Sequence, residues 1–269
     1  MDFKSDYPVV LGIAGGYATG KTTIADILAP VARHGSGENV ESGITWEHLY
    51  FAMPLKRMAR IRQDTEGQHL TDRIRYEIHA CLLDVFGDSP IYGAPPYKRL
   101  IEMVEEISTY PCPSDGKPRQ FYQHVGTDLM RAYNNDVWVK WMRRKINEIY
   151  RQFRIDEISQ TEDELDDIPN FGVLISDCRF YNENQFVKDH PNGILIKFTS
   201  TIEKAQERQV KRDGVAMLVS EISHSSETDL NNIPDEWYDA IIDVTEITIE
   251  EQVQQVVQVV KQKIGVYVA

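Results

Sequence analysis

The chain has 269 residues, 42% hydrophobic and 26% charged, with 29 lysines and arginines against 42 aspartates and glutamates, a formal charge of −13. That composition supports a sizeable buried core and excludes a disordered chain; so acidic an envelope argues against broad binding of nucleic-acid backbones, though a small basic phosphate pocket remains compatible with it. No run approaches the roughly 18 apolar residues of a membrane span, no signal-peptide pattern opens the chain, and Cys81, Cys112 and Cys178, with no CxxC, read as reduced thiols of a cytoplasmic protein.

The first element is Pro8–Ile13, a continuous apolar run that predicts a strand buried on both faces of a parallel sheet. Gly15-Gly16-Tyr17-Ala18-Thr19-Gly20-Lys21-Thr22 follows and matches G-x-x-x-x-G-K-[ST], with a helical pattern over Lys21–Val31 behind it. Strand, loop and helix in that order predict a nucleoside triphosphate site. Glycines let the backbone wrap so that N–H groups face phosphate oxygens, and the helix adds the positive end of its dipole. Residues Gly15 to Thr23 are the candidate ATP contacts: Lys21 for the β- and γ-phosphates, Thr22 for Mg²⁺.

A weaker strand pattern covers Ile44–Phe51, and residues 54–157 then read as mostly helical, too long for a simple crossover. Val137, Trp141, Ile146, Ile149, Tyr150 and Phe153 recur at helical spacing within them, and the acidic run Gln160–Pro169 reads as a solvated loop. The next strand, Gly172–Ser176, ends in Asp177-Cys178-Arg179. Ligands in open α/β sheets gather at the carboxyl ends of strands, so Asp177 is a candidate metal or orienting carboxylate and Arg179 a candidate phosphate grip. Asp177 is equally a candidate cap for the helix near Tyr181. Strands over Gly193–Phe198 and Asp239–Val244 complete the set. Capping-box pairs Ser200/Glu203 and Thr248/Glu251 open helices running to about residue 212 and to Ile264. The alternation predicts a doubly wound α/β sheet with right-handed crossovers and a helical subdomain.

Several segments in one order resemble the deoxynucleoside monophosphate kinases of tailed bacteriophages. These are Phe51-Ala-Met-Pro-Leu-Lys56, Gln123-His-Val-Gly126-Thr127-Asp-Leu-Met-Arg131, Asp136-Val-Trp138-Val139, Asp177-Cys-Arg179-Phe180-Tyr-Asn182-Glu183 and Ser225-Ser226-Glu227. Met53 departs from the family, which often has an acid there, and the segment Thr71–Pro96 is longer than its pattern. The resemblance implies a P-loop NTPase fold, three-layer α/β/α, with a parallel five-stranded sheet in the order 2-3-1-4-5. It implies one kinase domain with a core (1–53, 170–200, 237–269), a helical monophosphate-binding insertion (54–157) and a lid (about 205–228). ATP with Mg²⁺ becomes the donor and a deoxynucleoside 5′-monophosphate the acceptor, with Lys56, Gln123, Thr127, Arg131, Trp138 and Arg179 around the latter. A bacteriophage source, and the cytoplasm of its host, are also implied.

Gln123, Thr127 and Arg131, at i, i+4 and i+8, share one face of an α-helix, which suits a nucleotide or a merely solvated polar stripe. Trp138 is a candidate for stacking on a base, whereas Trp141 reads as core. Arg208, Lys211 and Arg212, before the Gly214–Glu221 segment, are candidate lid cations or simply basic residues at a helix C-terminus; Arg208 and Arg212, at i and i+4, could point the same way. Lys21, Asp177, Arg179, Arg208 and Arg212 thus form the candidate catalytic set, with Thr22 and Asp177 on the metal side. The partners are small nucleotides, with no nucleic acid or membrane, and the apolar last helix offers a homodimer face. A dephospho-coenzyme A kinase-like enzyme and an NTP-hydrolysing switch are the rival functions.

Overall fold

The computed structural model describes residues 7–29, 44–64, 72–87, 95–114, 118–160, 170–214 and 229–264. The Ser225-Ser226-Glu227 signature, the lid segment beyond Gly214 and most of the acidic run lie outside the described residues. In chain order the elements begin with β1 (Val9–Gly15), α1 (Lys21–Leu28), β2 (Ile44–Leu49), α2 (Met53–Gln63), α3 (Asp72–Phe86), α4 (Tyr97–Thr109) and α5 (Arg119–Gln123). A π-helical segment (His124–Arg131) follows, then α6 (Val137–Gln160), β3 (Asn170–Cys178), α7 (Tyr181–Lys188), β4 (Gly193–Thr199), α8 (Ile202–Asp213), β5 (Ala240–Asp243) and α9 (Ile249–Ile264). None of the helices among the described residues is long and apolar enough to cross a membrane. The chain divides into two compact units: residues 1–50 with 146–269, and residues 51–145.

The first unit holds a five-stranded sheet in the order β2-β3-β1-β4-β5, every pairing parallel. This is the expected 2-3-1-4-5 order, and each strand lies within a residue or two of its sequence segment. All seven residues of the central β1 are buried, as a continuous apolar run requires. One face of the sheet packs on α1 and α9 through Leu11, Ile13, Ile24, Leu28, Val256 and Val260. On the other face α7 approaches so closely that a Cβ on Gly12 would stand 2.8 Å from the Val187 side chain. Phe153 of α6 stacks on Phe171 of β3 on that face, ring centroids 4.7 Å apart. The apolar stripe of α9 is therefore consumed by the sheet, which removes the reason for assigning it a dimer face.

The Thr248/Glu251 box forms as expected: Thr248 N–H donates to Glu251 Oε2 at 2.7 Å and Glu251 N–H to Thr248 Oγ1 at 3.2 Å. The start of α8 differs. Thr201 is the cap, its Oγ1 accepting from Lys204 N–H at 3.3 Å, while the Ser200 hydroxyl faces Arg208 Nη1 at 3.5 Å. Shifting the cap by one residue puts Lys204 where the box needs a carboxylate, so only half of it forms.

The second unit packs α2 on α3 and α5, and α3 on α4, around Ile78, Leu82, Met103, Ile107, Phe121 and Met130. It carries 15 lysines and arginines against 12 aspartates and glutamates, whereas the rest of the chain carries 14 against 30. The acidity of the whole chain therefore belongs to the sheet unit, and the helical unit is weakly basic.

Candidate active site

The loop after β1 is shaped by three residues in left-handed or extended-positive backbone: Gly15 (φ 147°), Ala18 (φ 51°) and Gly20 (φ 85°). Gly15 is required for space as well as conformation, because a Cβ there would meet Phe198 O of β4 at 2.6 Å. Gly20 caps α1, whose first residue is Lys21. The Lys21 ammonium spends its three donors on the loop itself: Gly15 O at 2.8 Å, Gly16 O at 2.5 Å and Thr19 Oγ1 at 3.0 Å. Thr19 is buried and in turn donates to Gly16 O at 3.0 Å, so it is a strut of the loop. Thr22 and Thr23 are exposed at the start of α1, and Gly16, Tyr17 and Ala18 are partly exposed along the loop.

Lys21 is only 7% exposed, and burial pushes its pKa down to about 7. The Arg179 and Arg212 guanidiniums push in the same direction, while Asp177 opposes them. These residues therefore share one electrostatic neighbourhood in the first unit: a desolvated lysine, two arginines and one carboxylate.

Asp177 and Arg179 are partly exposed at the end of β3, where α7 begins. The leading N–H groups of α7 go to other carboxylates. Glu183 Oε2 accepts from Arg179 N–H at 2.8 Å and Phe180 N–H at 3.1 Å, and Asp229 Oδ2 accepts from Tyr181 N–H at 2.9 Å. Glu183 is thus the reach-back carboxylate of a helix start whose cap residue, Phe180, has no side-chain acceptor. Its place three residues after Phe180 was the signal available in the sequence. Cys178 between Asp177 and Arg179 is fully buried, and burial raises its pKa well above the ordinary thiol value, which keeps it an inert thiol.

Arg208 and Arg212 do not point the same way. Arg208 Nη2 donates to Val244 O and, at 3.2 Å, to Thr245 O, tying α8 to the exit of β5. Arg212 Nη2 donates to Gln209 Oε1 at 2.7 Å and is the guanidinium of α8 that acts on Lys21. Arg208 is accordingly a structural clamp rather than a lid cation, because its donors are held by backbone carbonyls at the sheet edge. Arg208→Met strands those carbonyls and is expected to cost about 1–3 kcal/mol. A thermal melt should show a fall of several degrees for Arg208→Met.

In the second unit, three of the segments singled out in the sequence converge on Gly126. A Cβ on Gly126 would stand 2.8 Å from Leu55 Cδ2, next to Lys56 on α2, and Trp138 Nε1 donates to Gly126 O at 3.2 Å. Trp138 is 4% exposed, so its ring is part of the packing and is not laid open for a base. Gln123 ends α5, while Thr127 and Arg131 lie in the π-helical segment. Their spacing therefore follows i→i+5 winding and not the α-helical turn assumed from the sequence. π-Helical winding is rare, and its usual single-turn form is frequent at functional sites. Arg131 is buried, with Nη1 donating to Asn135 O at 3.0 Å; Lys56, Gln123 and Thr127 are partly exposed.

The first unit is thus a parallel α/β fold carrying a glycine-rich loop at the carboxyl end of β1. A protein of Acanthamoeba polyphaga mimivirus, provisionally named a deoxynucleotide monophosphate kinase, is 28% identical to this chain over 252 residues, covering 94% of this chain and 96% of that protein. That relative belongs to a virus of amoebae, so the bacteriophage source suggested by the sequence gains no support from it. No family model matches the chain. Among solved structures, an uncharacterized protein from Eubacterium ventriosum aligns over 94% of this chain and 98% of its own, at TM-score 0.34 and 10% identity, too low a likeness to carry an argument.

Proposed function

We propose that the chain is a deoxynucleoside monophosphate kinase, moving the γ-phosphoryl group of ATP to the phosphate of a (deoxy)nucleoside 5′-monophosphate. The observation that carries this is the glycine-rich loop between β1 and α1 with buried Lys21 at its end, within the electrostatic reach of Arg179, Arg212 and Asp177. The similarity to the mimiviral protein along nearly the whole of both chains supports a nucleotide acceptor.

In this mechanism the loop amides and Lys21 hold the β- and γ-phosphates. Lys21 exchanges some of its bonds to Gly15 O, Gly16 O and Thr19 Oγ1 for phosphate oxygens. Thr22 and Asp177 supply oxygen donors of the kind Mg²⁺ takes beside phosphates and water, so the residues present fit that ion. When bound, Mg²⁺ neutralises part of the phosphate charge. An oxygen of the acceptor phosphate attacks the γ-phosphorus, the bond from that phosphorus to the β,γ-bridging oxygen breaks, and ADP leaves. Arg179 and Arg212 stabilise the charge spread over the migrating group, and positioning supplies most of the remaining acceleration. Lys56, Gln123, Thr127 and Arg131, in the weakly basic helical unit, are the proposed acceptor contacts, and that unit is the proposed monophosphate-binding insertion.

A coupled ADP-release assay with ATP–Mg²⁺ and each ribo- and deoxyribonucleoside monophosphate tests this reading. Turnover is expected only when one or a few of the monophosphates are present. ADP release indifferent to the acceptor would overturn it in favour of a hydrolase or switch. In the same assay Arg212→Met should lose roughly 10²–10³-fold in kcat.

A further inference from the structure

In the first unit, three side chains that the reaction above does not use form a continuous hydrogen-bonded chain. His48 of β2 has Nε2 2.8 Å from Ser176 Oγ of β3 and Nδ1 3.2 Å from Asp26 Oδ1 of α1. His48 and Ser176 are 128 residues apart in sequence. One tautomer serves all three groups: Nδ1–H donates to the Asp26 carboxylate, and Nε2 accepts from the Ser176 hydroxyl. Tyr50 lies edge-on to the imidazole at 5.7 Å, so packing as well as hydrogen bonding holds the ring.

The arrangement has the order of an acyl-transfer triad, but its hydroxyl cannot act as a nucleophile. Ser176 is 4% exposed inside a strand paired with neighbours on both sides, where no substrate carbonyl can approach it. What the chain of bonds does instead follows from its two ends. Ser176 immediately precedes Asp177 in β3. Asp26 follows Thr22 by four residues in α1 and so stands one turn below it on the same side of the helix. The imidazole therefore joins the strand end that carries one candidate metal-side oxygen to the helix that carries the other.

We propose that His48 is a positioning residue that fixes the separation of Thr22 and Asp177, and through it the affinity for a metal-bound nucleoside triphosphate. The proposal rests on the kinase reading only in taking Thr22 and Asp177 as the metal-side pair. Groups bonded to metal ligands commonly change metal affinity by roughly 10–100-fold when removed; His48, which acts through Ser176 and Asp26 rather than on Thr22 or Asp177 directly, belongs at the low end of that range.

The test is calorimetric binding of a non-hydrolysable ATP analogue to the full chain, with Mg²⁺ and with EDTA, for the wild type, His48→Phe, Ser176→Ala and the double variant. His48→Phe should weaken the Mg²⁺ complex roughly tenfold and leave metal-free binding within about twofold. Ser176→Ala, which removes one hydroxyl from a buried site and provides a second route should His48→Phe fold poorly, should act in the same sense. The double variant should be little worse than the more severe single, because both act through one chain of bonds. Equal losses with and without Mg²⁺, or no loss in either variant, would overturn the positioning role while the kinase reading stands. A wild type that binds the analogue identically with and without Mg²⁺ would also overturn the positioning role, since no metal-side affinity would remain for His48 to set; the kinase reading fails only on the ADP-release assay.

Discussion

Replacing Lys21 with methionine is expected to lower phosphoryl transfer by roughly 10²–10³-fold and to cost less stability at pH 6.5 than at pH 9.5, because the bonds to Gly15 O and Gly16 O are lost at both while the desolvated charge is relieved only where it is present. The charge of this residue opposes stability even as its hydrogen bonds hold the loop. Its ammonium is desolvated beside Arg179 and Arg212, which is why its pKa falls to about 7 from the ordinary lysine value near 10.5. A group whose folded pKa lies below its unfolded value binds fewer protons in the folded state. Between pH 7 and about 10.5 the unfolded chain therefore holds the extra proton, and stability rises with pH through that window. Below pH 7 the charge is present in both states and its full cost is felt. Melting curves from pH 6.5 to 9.5 should show this rising contribution in the wild type and its loss in Lys21→Met. The same linkage acts on nucleotide binding. Phosphate oxygens restore the charged form, so ATP binding above pH 7 takes up close to one proton. Calorimetry at pH 8 in buffers of different ionisation enthalpy would measure that uptake, and Lys21→Met should abolish it.

Gly15→Ala is the second large effect, and it falls on stability. The residue sits at φ 147°, and a Cβ would press on Phe198 O at 2.6 Å and Thr19 Oγ1 at 3.1 Å. The conformational cost alone is about 1–3 kcal/mol, and the overlap with a backbone carbonyl of β4 adds to it. A fall in melting temperature of roughly 10 °C is expected on the usual scaling. Gly16→Ala is the control, since a Cβ there has nothing within 4 Å. Both glycines belong to the same loop, so a similar melt for the two variants would show that the close approach of the loop to β4 does not carry the effect.

The strands were legible in the sequence because a parallel sheet covered on both faces needs uninterrupted apolar runs, and β1 and β3 supply them. The Thr248/Glu251 box was legible because both of its hydrogen bonds join residues three apart. The slip from Ser200 to Thr201 was not, because two adjacent hydroxyl residues are equivalent caps until the partner of each is known. The choice went to Thr201 when Arg208 drew the Ser200 hydroxyl aside. Arg208 and Arg212 were paired by helical spacing, yet spacing fixes only where a side chain starts. Backbone carbonyls at the β5 exit captured the first, and the second turned to Gln209. The π-helical winding of His124–Arg131 was invisible to a pattern that assumes 3.6 residues per turn. Among the candidate site residues, Lys21 was legible from its loop. The electrostatic meeting of Asp177, Arg179 and Arg212 with it needed the sheet to bring distant segments together. Asp26, His48 and Ser176 had no sequence signal at all, being joined only by the register of β2 on β3 and the packing of α1.

The central claim is that the γ-phosphoryl group reaches a monophosphate and not water, and phosphorus NMR of a turnover mixture tests it most directly. With ATP, Mg²⁺ and the monophosphate that supports fastest ADP release, ADP and the acceptor's diphosphate should rise together, with little inorganic phosphate. Inorganic phosphate rising in step with ADP, with the monophosphate left unchanged, would contradict the account.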